Sequence, residues 1–265
     1  MTGFSSDWLA LREPLDLAAR DRIVEAEFLE RVPSVAPRML DLASGAGSTV
    51  AALKDRLPGD VRWLLTDNDP GLLEVAASRW SGTLVGGLST LEVDLAGEVE
   101  TLPFSDVDAV STSAFLDLVS EAFLQRLVKC VVAAGKPFLA SLTYDGQIGF
   151  EPAAPLDNTM RVALNSDQLS DKGFGNALGP GAAACAIDLF RSAGYKVVQG
   201  QSDWEVGPSD AGFLEEFLSG WSRVGVKHGA TREEVEAWRM RHLHQARSGS
   251  FRCMIGHIDF TAFPD

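Results

Sequence analysis

Two spacings of apolar residues alternate along this chain. Short runs bounded by Gly, Pro, Asp or Asn read as strands, and longer stretches with apolar positions three and four apart read as helices. The first run begins at Arg38; the others are 61–66, 90–94, 107–112, 137–144, 195–199 and 250–260. Helices are predicted between them at 46–57, 70–80, 119–134 and 180–193, and again at 209–226 and 232–247. This alternation implies an α/β fold, a doubly wound and mostly parallel sheet with helices on both faces. Residues 7–31 are predicted as two helices broken near Pro14, in a helical cap over 1–33. Residues 145–178 interrupt the rhythm with Gly146, Gly149, Pro152, Pro155, Gly173 and Gly175. Leaving the carboxyl end of a strand, they are expected to form a lid insertion with a short helix near 155–169. Residues 205–247 form a helical insertion before the last strand, and the whole chain, 1–265, reads as one domain.

The first strand ends in Asp41-Leu42 and a turn of small residues, Ala43-Ser44-Gly45-Ala46-Gly47, before a helix start. Small residues let a ligand approach the backbone, and the helix start offers free N–H groups. About one βα unit later the second strand ends in Asp67, placed to accept hydrogen bonds from both hydroxyls of a ribose. Together they point to a nucleoside cofactor. The dinucleotide fingerprint needs three glycines where this chain has Ala43, Gly45 and Ser48, which disfavours NAD and an NAD-linked dehydrogenase.

The segment Leu40–Gly47 instead resembles the first motif of the class I S-adenosylmethionine-dependent methyltransferases, with Ala43 in place of the first glycine. Further segments resemble that family in order. Asp67-Asn68-Asp69-Pro70 resembles its second motif, with Asp67 on the ribose and Asn68 beside the adenine. Leu91–Leu95 resembles its third strand, which sets Asp94 near the adenine amino group and Leu95 beside it. Asp108–Leu118 resembles the fourth strand, carrying Ser111, and the loop under the methionine moiety. The resemblance implies a Rossmann-like methyltransferase fold with a seven-stranded sheet closed by an antiparallel strand at 250–260. It implies S-adenosyl-L-methionine as cofactor, held by Asp41, Ala43, Ser44, Gly45, Gly47, Asp67, Asn68, Asp94, Leu95 and Ser111.

Composition narrows the partners. A net charge of −14 opposes binding to a long nucleic-acid backbone. The family's base-methylating members show an Asn/Asp-Pro-Pro-aromatic motif where this chain has Ser111-Thr112-Ser113-Ala114. No apolar run is long enough for a membrane span, and no signal peptide is read. Cys130, Cys185 and Cys253 are expected to be buried free thiols in a reducing cytoplasm. The four histidines lack metal-ligand spacing, so no metal is expected.

Methyl transfer from a sulfonium is an in-line displacement, mostly a matter of positioning and water exclusion. Asp117, after the fourth strand, is the best candidate for taking a proton or orienting an acceptor; the alternative is a helix N-cap. Tyr144, past the fifth strand, is either a substrate wall or a core aromatic. Arg12 and Arg20 either hold the methionine carboxylate or pair with Glu13 and Asp16 along a helix face. In the lid, Asn165, Gln168, Lys172 and Phe174 suit a polar substrate. The expected activity is methyl transfer to a small or medium polar molecule. The alternative is a non-catalytic S-adenosylmethionine-binding regulatory or scaffold module.

Overall fold

The computed structural model describes residues 5–265. Two helices lead, α1 (Ser6–Ala19) and α2 (Arg22–Leu29), followed by β1 (Arg38–Leu42) and α3 (Ser48–Leu53). Next come β2 (Arg62–Asp67), α4 (Pro70–Trp80), β3 (Leu88–Glu92), the short α5 (Leu95–Glu98) and β4 (Ala109–Ser113). Then follow α6 (Glu121–Ala134), β5 (Phe138–Glu151), α7 (Asp157–Gln168), α8 (Ala182–Ser192), β6 (Lys196–Gln201) and β7 (Trp204–Val206). The helices α9 (Ala211–Lys227) and α10 (Arg232–Arg247) precede the last strand, β8 (Arg252–Phe263).

The strands lie side by side in the order β3-β2-β1-β4-β5-β8-β6, and β7 adds a short eighth strand against β8. The first five are mutually parallel, while β8 runs antiparallel between β5 and β6. The expected doubly wound sheet with an antiparallel closing strand is therefore present. Its direction of winding reverses between β1 and β4, where open α/β sheets form their ligand crevice.

The parallel strands are apolar because helices cover both faces. On one face Leu40, Val110, Phe138 and Phe260 pack against Leu127 and Val131 of α6 and Phe190 of α8. On the other, Met39, Trp63 and Leu65 pack against Phe28 of α2, Leu53 of α3 and Leu73 of α4. Trp221 of α9, Trp238 of α10 and Met160 of α7 build a separate apolar cluster. No helix among the described residues is long and apolar enough to cross a membrane.

Two elements differ from the sequence expectation. Helix α1 runs unbroken through Pro14, and the chain turns only at Arg20, whose φ is −54 and ψ 133. The carbonyl that loses its partner to Pro14 belongs to Ala10, on the exposed side, where water can satisfy it. Strand β5 extends past residue 144 to Glu151, because β8 outreaches the other strands and pairs with 148–151. The stretch 145–151 reads as loop because Gly146, at φ 87, sits in a register shift between Tyr144 and Ile148. The three cysteines are unpaired, yet only Cys253 is buried; Cys130 and Cys185 are half-buried, a correction to the expectation.

Candidate active site

The carboxyl ends of β1, β2, β3 and β4 share one edge of the sheet. After β1 the chain enters left-handed backbone at Ala43 (φ 49), Gly45 (φ 52) and Gly47 (φ 83). The Ser44 N–H donates to the Thr66 carbonyl at 2.9 Å, tying the turn to β2. The Gly45 N–H donates to Oδ2 of Asp67 at 2.8 Å, and the Asp69 N–H to its Oδ1 at 3.0 Å. Asp67 is thus aimed by backbone on both sides, and each oxygen keeps a lone pair for a further donor. A side chain at Gly47 would sit 2.6 Å from Nε1 of Trp80. One at Gly45 would come within 3.3 Å of Leu9, because α1 lies over the turn. Asp69 and Pro70 start α4 as the sequence implied, the Asp69 carboxylate accepting from the Gly71 N–H at 2.9 Å. Farther along the same edge, Asn68 and Asp94 are exposed, and Leu95 is buried in the core.

Beneath α1 lies a set of buried charges. Oδ1 of Asp41 accepts from the Ser111 hydroxyl at 2.6 Å, and its Oδ2 has no hydrogen-bond partner among the described residues. The Arg20 guanidinium is buried and donates through Nη2 to Oγ of Ser113 at 3.2 Å. Among the described residues its Nε and Nη1 are unpartnered, as is the buried Ser44 hydroxyl. Unpaired buried polar groups cost stability unless something satisfies them. A ligand tail bearing one anionic and one cationic end fits this set: anion toward Arg20, cation toward Asp41. The left-handed turn, the oriented Asp67 and these groups together fit an adenosyl amino-acid cofactor.

Burial pushes the Asp41 carboxyl up to about 7, against the pull of the Ser111 hydroxyl, the nearby Thr49 hydroxyl and Arg20. Burial likewise raises Asp67, opposed by the Gly45 and Asp69 N–H groups. The unfolded chain releases the Asp41 proton near pH 4. The folded protein keeps it until about pH 7, so stability falls as pH rises through that window. The ligand-free protein is expected to lose melting temperature from pH 5 to 8, and Asp41→Asn to lack that part of the loss. Superimposable pH–Tm profiles would contradict this.

On the other side of the crevice, Asp117 occupies a single helical turn, Leu116–Leu118, and is buried. It is not an N-cap; Ser120 caps α6. Nε2 of Gln168 donates to Asp117 Oδ2 at 3.4 Å. Burial raises the Asp117 carboxyl to about 6, while the charges of Arg12 and Lys172 pull it down. The Tyr144 hydroxyl donates to Oδ1 of Asn165 at 2.7 Å, and Asn165 donates onward to the Gly146 carbonyl at 3.1 Å. Burial, with Asp145 and Asp117 nearby, raises Tyr144 further, so its phenol stays neutral.

Arg12 and Asp16 do form an i, i+4 pair at 2.9 Å, but a buried one rather than a surface one. Asp16 also accepts from Nε1 of Trp204 at 3.0 Å. Glu13 pairs instead with Arg79 on α4 through two contacts of 2.6 and 2.5 Å, clasping α1 to the sheet domain. Asn165 and Gln168 thus meet Tyr144 and Asp117. Lys172 is bonded to Asp167 at 3.1 Å and Ser170 at 2.9 Å. Phe174 packs edge-on to Phe115 and Phe123, with centroids 5.4 and 4.7 Å away. His257, not singled out in the sequence, lies 4.7 Å from the Trp204 ring, and burial and Arg12 push it down to about 3. It is a neutral imidazole in β8, two residues before Asp259, and no motif in the sequence marks it.

No protein-family model matches the chain, and no curated protein matches it. Solved structures do. The YcgJ protein of Bacillus subtilis superposes with a TM-score of 0.52 at 16% identity, over 91% of this chain and 98% of that one. The cyclopropane synthase MmaA2 of Mycobacterium tuberculosis superposes with a TM-score of 0.54 at 10% identity, over 98% and 94%. A candidate methyltransferase of Bacillus halodurans gives 0.52 at 13% identity, over 91% and 98%. With its strand order, the chain has the fold of the class I S-adenosylmethionine-dependent methyltransferases.

Proposed function

We propose that this protein is an S-adenosylmethionine-dependent methyltransferase acting on a small or medium polar molecule. The observation that carries this is the Asp67 carboxylate, fixed by the glycine turn, beside unpaired buried groups of both charges. When bound, the cofactor supplies a methyl group on a sulfonium, open to in-line displacement.

Asp67 accepts the ribose hydroxyls, and Asn68, Asp94 and Leu95 border the adenine. Gly45, Gly47 and Ala43 let the ligand approach the turn. Arg20 holds the carboxylate of the amino-acid tail and Asp41, steadied by Ser111, its ammonium; Ser44 offers a hydroxyl. Asp117 accepts the acceptor's proton or orients its nucleophile, an oxygen or carbon by default, and Gln168 orients Asp117 in turn. Tyr144 and Asn165 wall the pocket, and Arg12 contributes a charge from the buried face of α1. Lys172 and Phe174 support the loop rather than touch the acceptor.

The segment 145–178 serves as lid. Its helix α7 carries Asn165 and Gln168 and is pinned from outside. Asp157 accepts from Nε1 of Trp238 at 2.7 Å, and Lys227 donates to Asp167 at 2.5 Å. Lid and α1 together exclude water from the displacement. The net charge of −14 favours a small acceptor over nucleic acid. Unpaired cysteines fit a reducing cytoplasm.

The test is turnover. Incubation of the protein with S-adenosylmethionine and a panel of small hydroxylated, enolisable and carboxylated acceptors is expected to release S-adenosylhomocysteine with at least one class. Tight cofactor binding with no release across the panel would favour the binding-module reading.

A further inference from the structure

We propose that Asp259 is a positioning residue for the amino-acid tail of the cofactor, acting through the junction between α1 and α2. This rests on the adenosyl-cofactor reading above. Asp259 lies in the middle of β8, fully buried, between Ile258 and Phe260. Opposite it the ladder is irregular: Ala140 pairs with Phe260 and Thr143 with Ile258, so Ser141 and Leu142 face Asp259 alone. In this bulge Leu142 takes φ 56, a left-handed conformation for a buried leucine. The bulge removes the ladder partner of the Leu142 N–H, and Oδ1 of Asp259 accepts it instead at 2.6 Å.

The other oxygen reaches out of the sheet. Oδ2 of Asp259 accepts from the Asp21 N–H at 3.0 Å. Asp21 follows Arg20 where the chain leaves α1 and caps α2. The junction lies hard on the sheet, since a side chain at Gly200, the β6 register partner of Asp259, would sit 2.1 Å from the Asp21 carboxylate. Among the described residues Arg20 has a single side-chain hydrogen-bond partner, Ser113, so the placement of its backbone decides where its free N–H groups point. One carboxylate therefore fixes both the strained bulge and the arginine's attachment point. A regular strand with an apolar residue at 259 would make the sheet without burying a charge or straining Leu142. The arrangement makes sense as a device for aiming Arg20.

The experiment compares S-adenosylhomocysteine with 5′-methylthioadenosine, which keeps the nucleoside and lacks the amino-acid tail. In calorimetric titrations, Asp259→Asn is expected to weaken S-adenosylhomocysteine about tenfold, because an amide accepts only one of the two N–H groups well. Binding of 5′-methylthioadenosine is expected to change less than about twofold, which also reports an intact fold. Arg20→Met is expected to show the same tail-selective loss, with no further loss in the double variant. Should Asp259→Asn not fold, Asp21→Pro deletes the N–H that Asp259 accepts, at a φ of −72; because it also removes the α2 cap, the expectation is the tail-selective loss relative to Asp21→Ala, which loses the cap alone. Equal losses for both nucleosides, or no loss for S-adenosylhomocysteine, would overturn the proposal. Failure of the wild-type protein to bind either nucleoside would overturn the cofactor reading, and this proposal with it.

Discussion

Replacing Asp67 with alanine is expected to weaken S-adenosylhomocysteine binding by about 3 kcal/mol, roughly a hundredfold or more. Hydrogen bonds to a charged partner contribute about 1.5 kcal/mol or more each, and two ribose hydroxyls are lost together. The carboxylate is only 9% exposed, so water competes weakly for it. The substitution also strands the Gly45 and Asp69 N–H groups, which loosens the turn that shapes the cleft. Asp67→Asn should fall between, since one oxygen survives. Isothermal titration reads the effect directly. An alanine variant with wild-type affinity would mean that the sugar lies somewhere other than the tip of β2.

Asp117→Asn is expected to lower kcat by about a hundredfold, the lower end for general-base catalysis, while leaving S-adenosylhomocysteine affinity nearly unchanged. The carboxyl titrates at about 6 and acts only when ionised. Wild-type kcat/KM should therefore climb as pH rises through about 6 and level off above 7. The variant should lose that limb. Gln168→Ala, which removes the amide beside Asp117, should shift the limb rather than abolish it. An Asp117→Asn enzyme with the wild-type rate and the same rising limb would make Asp117 a structural carboxylate.

What was legible in the sequence was local. The turn after β1, Asp67 at the end of β2 and the Asp69-Pro70 helix start depend on neighbours a few residues away. The mostly parallel sheet followed from alternation of the two apolar spacings, and its antiparallel closing strand from the family resemblance; the order of the strands comes from the structure. What was not legible depends on partners distant in the chain. The Leu142 N–H meets a carboxylate 117 positions later, and Asp21 meets the same group 238 positions later. Neither bulge nor junction leaves a short-range mark. The extension of β5 was hidden because glycine and polar residues there read as turn until β8 arrives alongside. Phe174 reads as a substrate contact because its neighbours are polar; in the fold it is half-buried and packs against Phe115 and Phe123 at the edge of the core. For Arg20 the sequence leaves open a helix-face pair or a ligand carboxylate; only the fold shows that Glu13 turns to Arg79 and that Arg20 is buried with no carboxylate hydrogen bond among the described residues.

In the proposed complex the tips of β1 and β2 hold an adenosyl group while Arg20 and Asp41 hold its tail. A crystal structure of the protein grown with saturating S-adenosylhomocysteine tests it most directly. The expected density places the ribose hydroxyls within hydrogen-bond distance of Asp67 and the tail carboxylate against Nε or Nη1 of Arg20. Density elsewhere on the molecule, or an empty crevice between β1 and β4 at saturation, would contradict it.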